Sequence, residues 1–378
     1  MRPRNDELPK HRHHERVHIM NIVFFGSSLV SAYWNGAATY YRGILRALHA
    51  RGHRIVFYEP DAWDRQNHRD VETPDYARSV VYPANEEGEV VRIVKDAARE
   101  ADLLVKASGV GVFDELLEQA VLDFRSDRTV TAFWDVDAAV SLDRMNTDPQ
   151  DSLRRLIPRY DIIFTYGGGA PVVCAYRELG AQSCVPIYNA LDPSTHFPVP
   201  PDRKFKAALA FLGNRLPDRE ARVQEFFFRA ACANPELPML LGGSGWDDGA
   251  RQIPNLRYLG HVYTADHNAF NATPHAVLNI CRDSMARYGF SPPTRVFEAA
   301  GAGACLITDA WEGVENFLEP GRECLVARDG GEVSDILHEL SAARAARIGA
   351  DALQRVLREH TYAQRASEVE NALCAVAP

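Results

Sequence analysis

What most constrains this chain is an alternation that runs twice. Short β-rich apolar runs alternate with stretches of helical period over residues 21–165, a proline-rich segment interrupts them, and the pattern restarts at Ala208. The run Ile22-Val23-Phe24-Phe25-Gly26, closed by Ser27-Ser28, has the composition of a parallel strand buried on both faces and feeding a loop. Residues 38–50 place Tyr40, Ile44, Leu45 and Leu48 at helical spacing, and Gly52 stops the helix. A strand over 54–58 follows, then helices over 89–100, 114–124 and 151–159 with strands over 102–105, 129–134 and 162–165. Alternation of this kind specifies a doubly wound parallel sheet.

The interruption, Tyr188-Asn-Ala-Leu-Asp192-Pro-Ser-Thr-His-Phe197-Pro-Val-Pro-Pro201, reads as an interdomain linker. Beyond it the expected strands are 208–212, 239–242, 256–259, 276–280 and 305–308, with helices over 219–231, 265–271 and 294–302 and more helix from Val333. The fold class is therefore α/β, two Rossmann-like doubly wound domains facing a cleft. The expected boundaries are 21–190, 191–360, and a last helical segment over 361–378 that packs back on the first domain. A chain of 378 residues suits two cores of ordinary size, and a cleft between domains is a common ligand site.

Charge and cysteine usage narrow the partners. Lys and Arg number 42 against 51 Asp and Glu, a net charge of −9, so there is no global basic field to hold a nucleic-acid backbone. No apolar run is long enough for a transmembrane helix. The 7 cysteines are odd in number and never spaced Cys-x-x-Cys, which argues against a disulfide framework or a structural zinc site and for a reducing, cytoplasmic setting. Residues 1–20 are polar, lack the apolar stretch of a secretory signal and read as a disordered extension; its His11-Arg12-His13-His14 cluster is assigned no role.

Chemistry concentrates in Tyr288-Gly-Phe-Ser291-Pro-Pro-Thr294-Arg295-Val-Phe-Glu298-Ala-Ala-Gly301. Ser291 is a good N-cap and Pro292 a good first helical residue, so the helix terminus would offer free N–H groups to a diphosphate. Glu298, one to two turns in and flanked by apolar residues, could accept from the neighbouring hydroxyls of a ribose. Arg295, on the same helix, can pair with Glu298 or reach phosphate.

The segment from Tyr288 through Gly301 to Leu325-Val326 resembles the donor-binding signature of the GT-B glycosyltransferases, with Glu298 at the place of the family's ribose-binding glutamate. Other words agree in order: Asn35-Gly36-Ala-Ala-Thr39 resembles the N-terminal glycine loop, Asn189-Ala-Leu-Asp192 to Phe197-Pro198 the linker, Phe211-Leu-Gly213-Asn214-Arg215 the loop that opens the donor domain, and Tyr258-Leu-Gly260-His261 the stretch flanking the nucleobase. Arg-Asp-Ser-Met at 282–285 and Ser-Pro-Pro-Thr-Arg-Val-Phe-Glu-Ala-Ala-Gly are closest to the CgeB-like branch. At the turn where many retaining members carry a second glutamate this chain has Tyr288-Gly-Phe-Ser291, so the resemblance does not extend to the stereochemical outcome.

The resemblance implies a glycosyltransferase that takes a sugar from a nucleoside-diphosphate sugar, UDP by default with TDP, GDP and ADP open, and passes it to an unidentified acceptor. No metal and no other cofactor is expected to be obligatory. Arg215, Arg219 and Arg282 are the expected phosphate cations, with Asn214 and Asn279 nearby and Ser291, Thr294, Arg295, Tyr258 and His261 completing the donor site. Asp135 and Asp137, alternating beyond the strand 129–134, are candidate general bases, and the same pair could also spell a metal motif. Gly36, Asn35, Lys106 and Ser108 are expected to line the acceptor side, whose specificity would lie in loops 27–35 and 61–75. Gly167-Gly-Gly169 and Gly242-Gly-Ser-Gly245 read either as tight turns or as backbone N–H donors to a ligand. The competing functions are a nucleotide-sugar epimerase of the same shape, a nucleotide-binding protein without catalysis, and, weakest, a nicotinamide oxidoreductase, since neither half has Gly-x-Gly-x-x-Gly at its first turn.

Overall fold

The computed structural model describes residues 19–33, 35–250 and 253–376. The N-terminal extension and its histidine cluster lie outside the described residues, apart from Ile19 and Met20. Seven parallel strands, β1 (Asn21–Phe25), β2 (Arg54–Asp61), β3 (Arg78–Pro83), β4 (Leu103–Ala107), β5 (Val130–Asp135), β6 (Ile162–Thr165) and β7 (Cys184–Pro186), form one sheet in the order β3-β2-β1-β4-β5-β6-β7. Six more, β8 (Leu209–Leu212), β9 (Met239–Gly242), β10 (Leu256–Tyr258), β11 (Ala276–Asn279), β12 (Leu306–Asp309) and β13 (Leu325–Ala327), form a second in the order β10-β9-β8-β11-β12-β13. Each order reverses once, between β1 and β4 and between β8 and β11. At such a switch point the loops leaving the two strands diverge and open a crevice at their carboxyl ends.

The strand runs are continuously apolar because helices cover both faces. Ile22 and Phe24 join the cluster that holds Trp134 and Phe164, while Val23 and Phe25 join the cluster of Leu104, Phe133 and Ile163 on the opposite face. In the second sheet Leu209, Phe211, Leu241, Leu278 and Ile307 share one face. The helix Ala38–Ala50 buries Tyr40, Tyr41, Ile44, Leu45 and Leu48.

Backbone crosses between the halves twice, side by side. Leu191 N–H donates to His360 C=O at 2.8 Å and Tyr362 N–H donates to Leu191 C=O at 3.1 Å. From there the helix Tyr362–Cys374 lies against Ala38–Ala50, with the Tyr362 ring over Gly43, where an added Cβ would sit 2.1 Å from the ring. Gly43 is thus a glycine for close approach. No helix among the described residues is long and apolar enough to cross a membrane.

Several expected elements differ. The helix expected over 219–231 is Pro217–Val223, a wide turn at Gln224–Phe228 that buries Phe226, Phe227 and Phe228, and then Arg229–Ala233. The helix carrying Glu298 starts at Thr294 with Pro293 as N-cap, not at Pro292 with a Ser291 cap. A residue before proline is driven out of the helical region, so Pro292 cannot be helical ahead of Pro293, and the Ser291 hydroxyl turns away to donate to Gly289 C=O at 2.8 Å.

Candidate active site

The loops after β8, β9 and β10 are zipped to one another by backbone bonds: Gly213 N–H to Gly242 C=O at 2.9 Å and Gly243 N–H to Gly260 C=O at 2.6 Å. Gly243, at φ +111, must be glycine because a Cβ there would meet Gly213 O at 2.2 Å. Tyr258 supports this turn by donating to Gly243 C=O at 2.9 Å, and Asn214 accepts from Ser244 N–H at 3.0 Å. His261 is exposed, edge-on to Tyr263 at 4.7 Å.

Beside this rigid turn the structure brings together Arg219, Arg282 and Arg295. The guanidiniums of Arg219 and Arg295 lie 5.8 Å and 5.2 Å from the Phe211 ring centroid. Burial pulls Arg219 down to about 10, and the neighbouring Arg295 and Arg282 charges push the same way. Its Nε is buried and without a partner. Burial likewise lowers Arg295, opposed chiefly by Glu298. Arg282 stands on the other side of the balance: burial would lower it, but Asp137 and Asp218, whose carboxylates it meets at 2.8 Å and 2.7 Å, more than offset that and raise it. Arg215 is apart from this group, in an exposed ion pair with Glu220. Asn279 is buried and donates to Thr308 Oγ1 at 3.0 Å, inside the sheet.

Of the two aspartates after β5, Asp137 alone faces the cleft. Asp135 is fully buried and its carboxylate is saturated by Ser108 Oγ (2.7 Å), Asp137 N–H (2.9 Å) and the Tyr176 hydroxyl. Its candidacy as a general base is corrected accordingly, because a buried carboxylate with these partners cannot reach an acceptor. Asp137 is half-exposed, reaches across to Arg282, and is raised by burial against the opposing pull of that arginine. Lys106 and Ser108 also lie behind the cleft wall, not on it. Lys106 is fully buried between Asp114 (2.5 Å) and Glu118 (3.3 Å), and Ser108 is spent on Asp135 and Val136 N–H. Asn35 is buried too, donating to Ser28 and Ser31 carbonyls and accepting from Ser27, which shapes the loop from within. Gly36 borders open space.

Gly167-Gly-Gly169 is where the halves touch. Gly168 N–H donates to Phe290 C=O at 2.9 Å, and Cβ atoms on Gly167 and Gly169 would meet Ser291 and Phe290 at 2.8 Å and 2.7 Å. Phe290 adopts φ +45 here, a left-handed conformation that a bulky residue holds only under surrounding constraint. Asp143 pairs with Arg287 and accepts from Tyr288 Oη at 3.1 Å, and Asn189 donates to Pro292 C=O at 3.0 Å. These contacts border a small, partly open cavity lined from both halves, with Asp137, Tyr166, Gly168, Met285, Tyr288 and Ser291 on its walls.

Glu298 does not line that cavity; it interacts with Arg295 and sits with His196 and His267, whose side-chain ligand atoms lie within 4.8 Å of one another and of its carboxylate. This is the group among the described residues that could hold a metal ion. Burial lowers His267, with Glu298 opposing. Sequence reasoning missed both histidines, and also Asp218 and Tyr166; His196 sat in the linker and His267 at the start of a short helix, with nothing in their spacing to join them.

A protein-family model described as glycosyl transferase-like matches residues 219–371. No curated protein sequence matches. Among solved structures the chain is similar to sucrose-phosphate synthase from Thermosynechococcus elongatus, with TM-score 0.70 and 14% identity over 94% of this chain and 99% of that one. It is similar to Anabaena HepE in complex with UDP-glucose, with TM-score 0.66 and 14% identity over 94% and 100%. It is also similar to phage T4 BGT in complex with its UDP-glucose substrate, with TM-score 0.58 and 13% identity over 95% and 99%. The two parallel-sheet, Rossmann-like halves have the GT-B fold of these glycosyltransferases.

Proposed function

We propose, from the GT-B frame and its cationic crevice, that this chain is a glycosyltransferase that moves a sugar from a nucleoside-diphosphate sugar, UDP favoured, to an acceptor bound on the N-terminal side. The observation that carries the reading is the convergence of Arg219, Arg282 and Arg295 at the β8/β11 switch point, with Arg219 held down to about 10 by burial and by its like-charged neighbours. Guanidiniums gathered in this way are stabilised by an anion placed among them, and a diphosphate has the charge and the planar oxygens to suit. The complexes of HepE and BGT with UDP-glucose support the same donor class.

In this mechanism Glu298 accepts from the ribose hydroxyls, and the nucleobase lies against the turn braced by Tyr258, beside His261. The acceptor hydroxyl loses its proton to Asp137 as its oxygen bonds to the anomeric carbon. The carbon–oxygen bond to phosphate breaks, and the nucleoside diphosphate departs with the bonding electrons, its charge met by the arginines. Asp137 must release Arg282 for this, and Arg282, once released, can turn to phosphate. With guanidiniums neutralising the leaving group, no metal is obligatory. The CgeB-like branch supplies the closest motif words.

A thermal-shift panel of UDP, TDP, GDP, ADP and their sugars, with and without magnesium, tests the donor: one nucleotide should raise the melting temperature equally in both conditions. Glu298→Ala should then weaken that nucleotide roughly 10–100-fold, the loss of hydrogen bonds to a charged group. Stabilisation by none of the nucleotides overturns the function, and unchanged affinity in the variant overturns the assignment of Glu298.

A further inference from the structure

We propose that His196, His267 and Glu298 form a site for a divalent transition ion of the zinc type, and that this ion and the nucleotide exclude one another by competing for Glu298. The exclusion rests on the function proposed above; the metal site does not.

The three ligands come from separate elements, the linker, the helix His267–Ala272 and the helix Thr294–Gly301, and their ligand atoms already lie within 4.8 Å of one another. Both imidazoles are oriented by their other nitrogen. Thr195 Oγ1 donates to Asp192 C=O at 3.2 Å, so its contact with His196 Nδ1 at 3.0 Å is completed by a proton on the imidazole. That leaves His196 Nε2 as a bare lone pair. The same nitrogen is buried and has no partner, on a residue only 5% exposed. Buried polar atoms are nearly always satisfied, and an imidazole nitrogen left open on a histidine clustered with another histidine and a carboxylate is what an unfilled ligand position looks like. His267 Nε2 meets the Val262 carbonyl at 3.2 Å, which must accept, so Nδ1 carries the lone pair. A second hydrogen bond that fixes the tautomer is the usual support of a metal-bound histidine.

Two imidazoles and one carboxylate suit zinc or a neighbouring first-row ion, with a fourth position left for water. Closing on such an ion at about 2.0–2.1 Å needs the side chains to draw in by roughly an ångström, within the reach of rotamer adjustment. Arg295, beside Glu298, repels any cation. Affinity must therefore come from the imidazoles, which selects against magnesium and calcium, whose preferred ligands are oxygens.

The test is a calorimetric titration of zinc into the full chain and into His196→Gln/His267→Gln, with cobalt as a spectroscopic reporter. The N-terminal histidines and the thiols are common to both proteins and set the background. Wild type should bind one more zinc than the variant, give a cobalt ligand-field band that the variant lacks, and show no comparable response to magnesium. Saturating zinc should weaken UDP at least about tenfold in wild type and leave UDP affinity unchanged in the variant. If the double variant melts below wild type without metal, Glu298→Gln replaces it, and its zinc affinity should fall by at least about tenfold. Equal zinc stoichiometry and equal cobalt spectra in wild type and variant overturn the site. Zinc bound at the site with UDP affinity unchanged overturns the exclusion, and zinc bound where no nucleotide binds overturns the proposed function and leaves the site standing.

Discussion

The two crevices sit at equivalent switch points of two similar sheets and treat charge in opposite ways. At the carboxyl edge of the N-terminal sheet, the buried charges are met by internal partners: Asp135 by Ser108, Tyr176 and Asp137 N–H, Lys106 by Asp114 and Glu118, while Asn35 bonds Ser27, Ser28 and Ser31, and only single atoms such as Glu118 Oε2, Arg65 Nε and Thr165 Oγ1 go without. At the carboxyl edge of the C-terminal sheet, Arg219 and Arg295 face each other and Arg282, and His196 has a buried nitrogen without a partner. A satisfied polar network rigidifies a wall; an unsatisfied one stores free energy that a ligand releases. The first edge holds its shape by internal bonds; on the function proposed above, the second is completed by a bound anion.

Opposite responses to the loss of a cation would make that contrast measurable, and they are the largest effects expected. Lys106→Met leaves Glu118 buried without its counter-ion, so urea denaturation should show a loss of about 3–5 kcal/mol, with UDP affinity little changed. Glu118 is already raised by burial, with Lys106 as the main opposing influence. Arg219→Met should do the reverse, raising the stability of the nucleotide-free protein by relieving repulsion while weakening UDP roughly a hundredfold or more. Equal destabilisation by both changes would erase the distinction between the edges.

Next in size is a group that bridges the edges through an ion pair with Arg282. Asp137 is raised by burial, with Arg282 pulling it back, and its basic form is the deprotonated one. The rate should therefore fall as pH drops through a value above the ordinary carboxylate range. Asp137→Asn should remove that acid limb and lower kcat by roughly a hundredfold, the lower end of what a general base supplies. Arg282→Gln should move the limb further up. An acid limb that survives in Asp137→Asn would assign proton removal to another group.

The sequence made the buried strands legible because parallel strands covered on both faces are apolar throughout, as in β1 and β11. It hid β3, Arg78–Pro83, an edge strand with much of its length in contact with water. The helix Gly169–Glu178 was hidden behind a glycine run and a proline in its first turn. The arginines could be read because Arg282 comes soon after β11, Arg219 lies in the helix that follows the β8 turn, and Arg295 shares a helix with Glu298. Asp135 and Asp137 could not be separated, since residues two apart share a face in a regular strand. Here Asp135 closes β5 and Asp137 opens the next helix, so the backbone turns between them and sends one inward and one to the cleft. Nothing in the chain joins His196 to His267, 71 positions apart by their numbers, until the linker folds against the helix His267–Ala272.

A smaller effect is expected where the halves are joined, in a third arrangement between the two edges. His360 is buried at the chain crossing beside Phe297 and Phe317, accepts from Arg365 Nη2 at 2.9 Å on Nδ1, and is lowered to about 4 by burial first and then by Arg365 and Arg355. An arginine is tolerated against this ring because the ring stays neutral, whereas the Arg219 group keeps like charges together. With the folded value below the unfolded one of about 6.5, the unfolded chain binds the proton first. Stability is therefore intact above pH of about 6.5 and declines as pH falls toward 4, by about 2 kcal/mol at pH of about 5. His360→Gln, which cannot titrate but can still accept from Arg365, should shrink the difference in unfolding free energy between neutral pH and pH of about 5 by that amount. A variant that loses stability with acid as steeply as wild type would move the acid sensitivity away from the crossing and onto the carboxylates of the N-terminal edge.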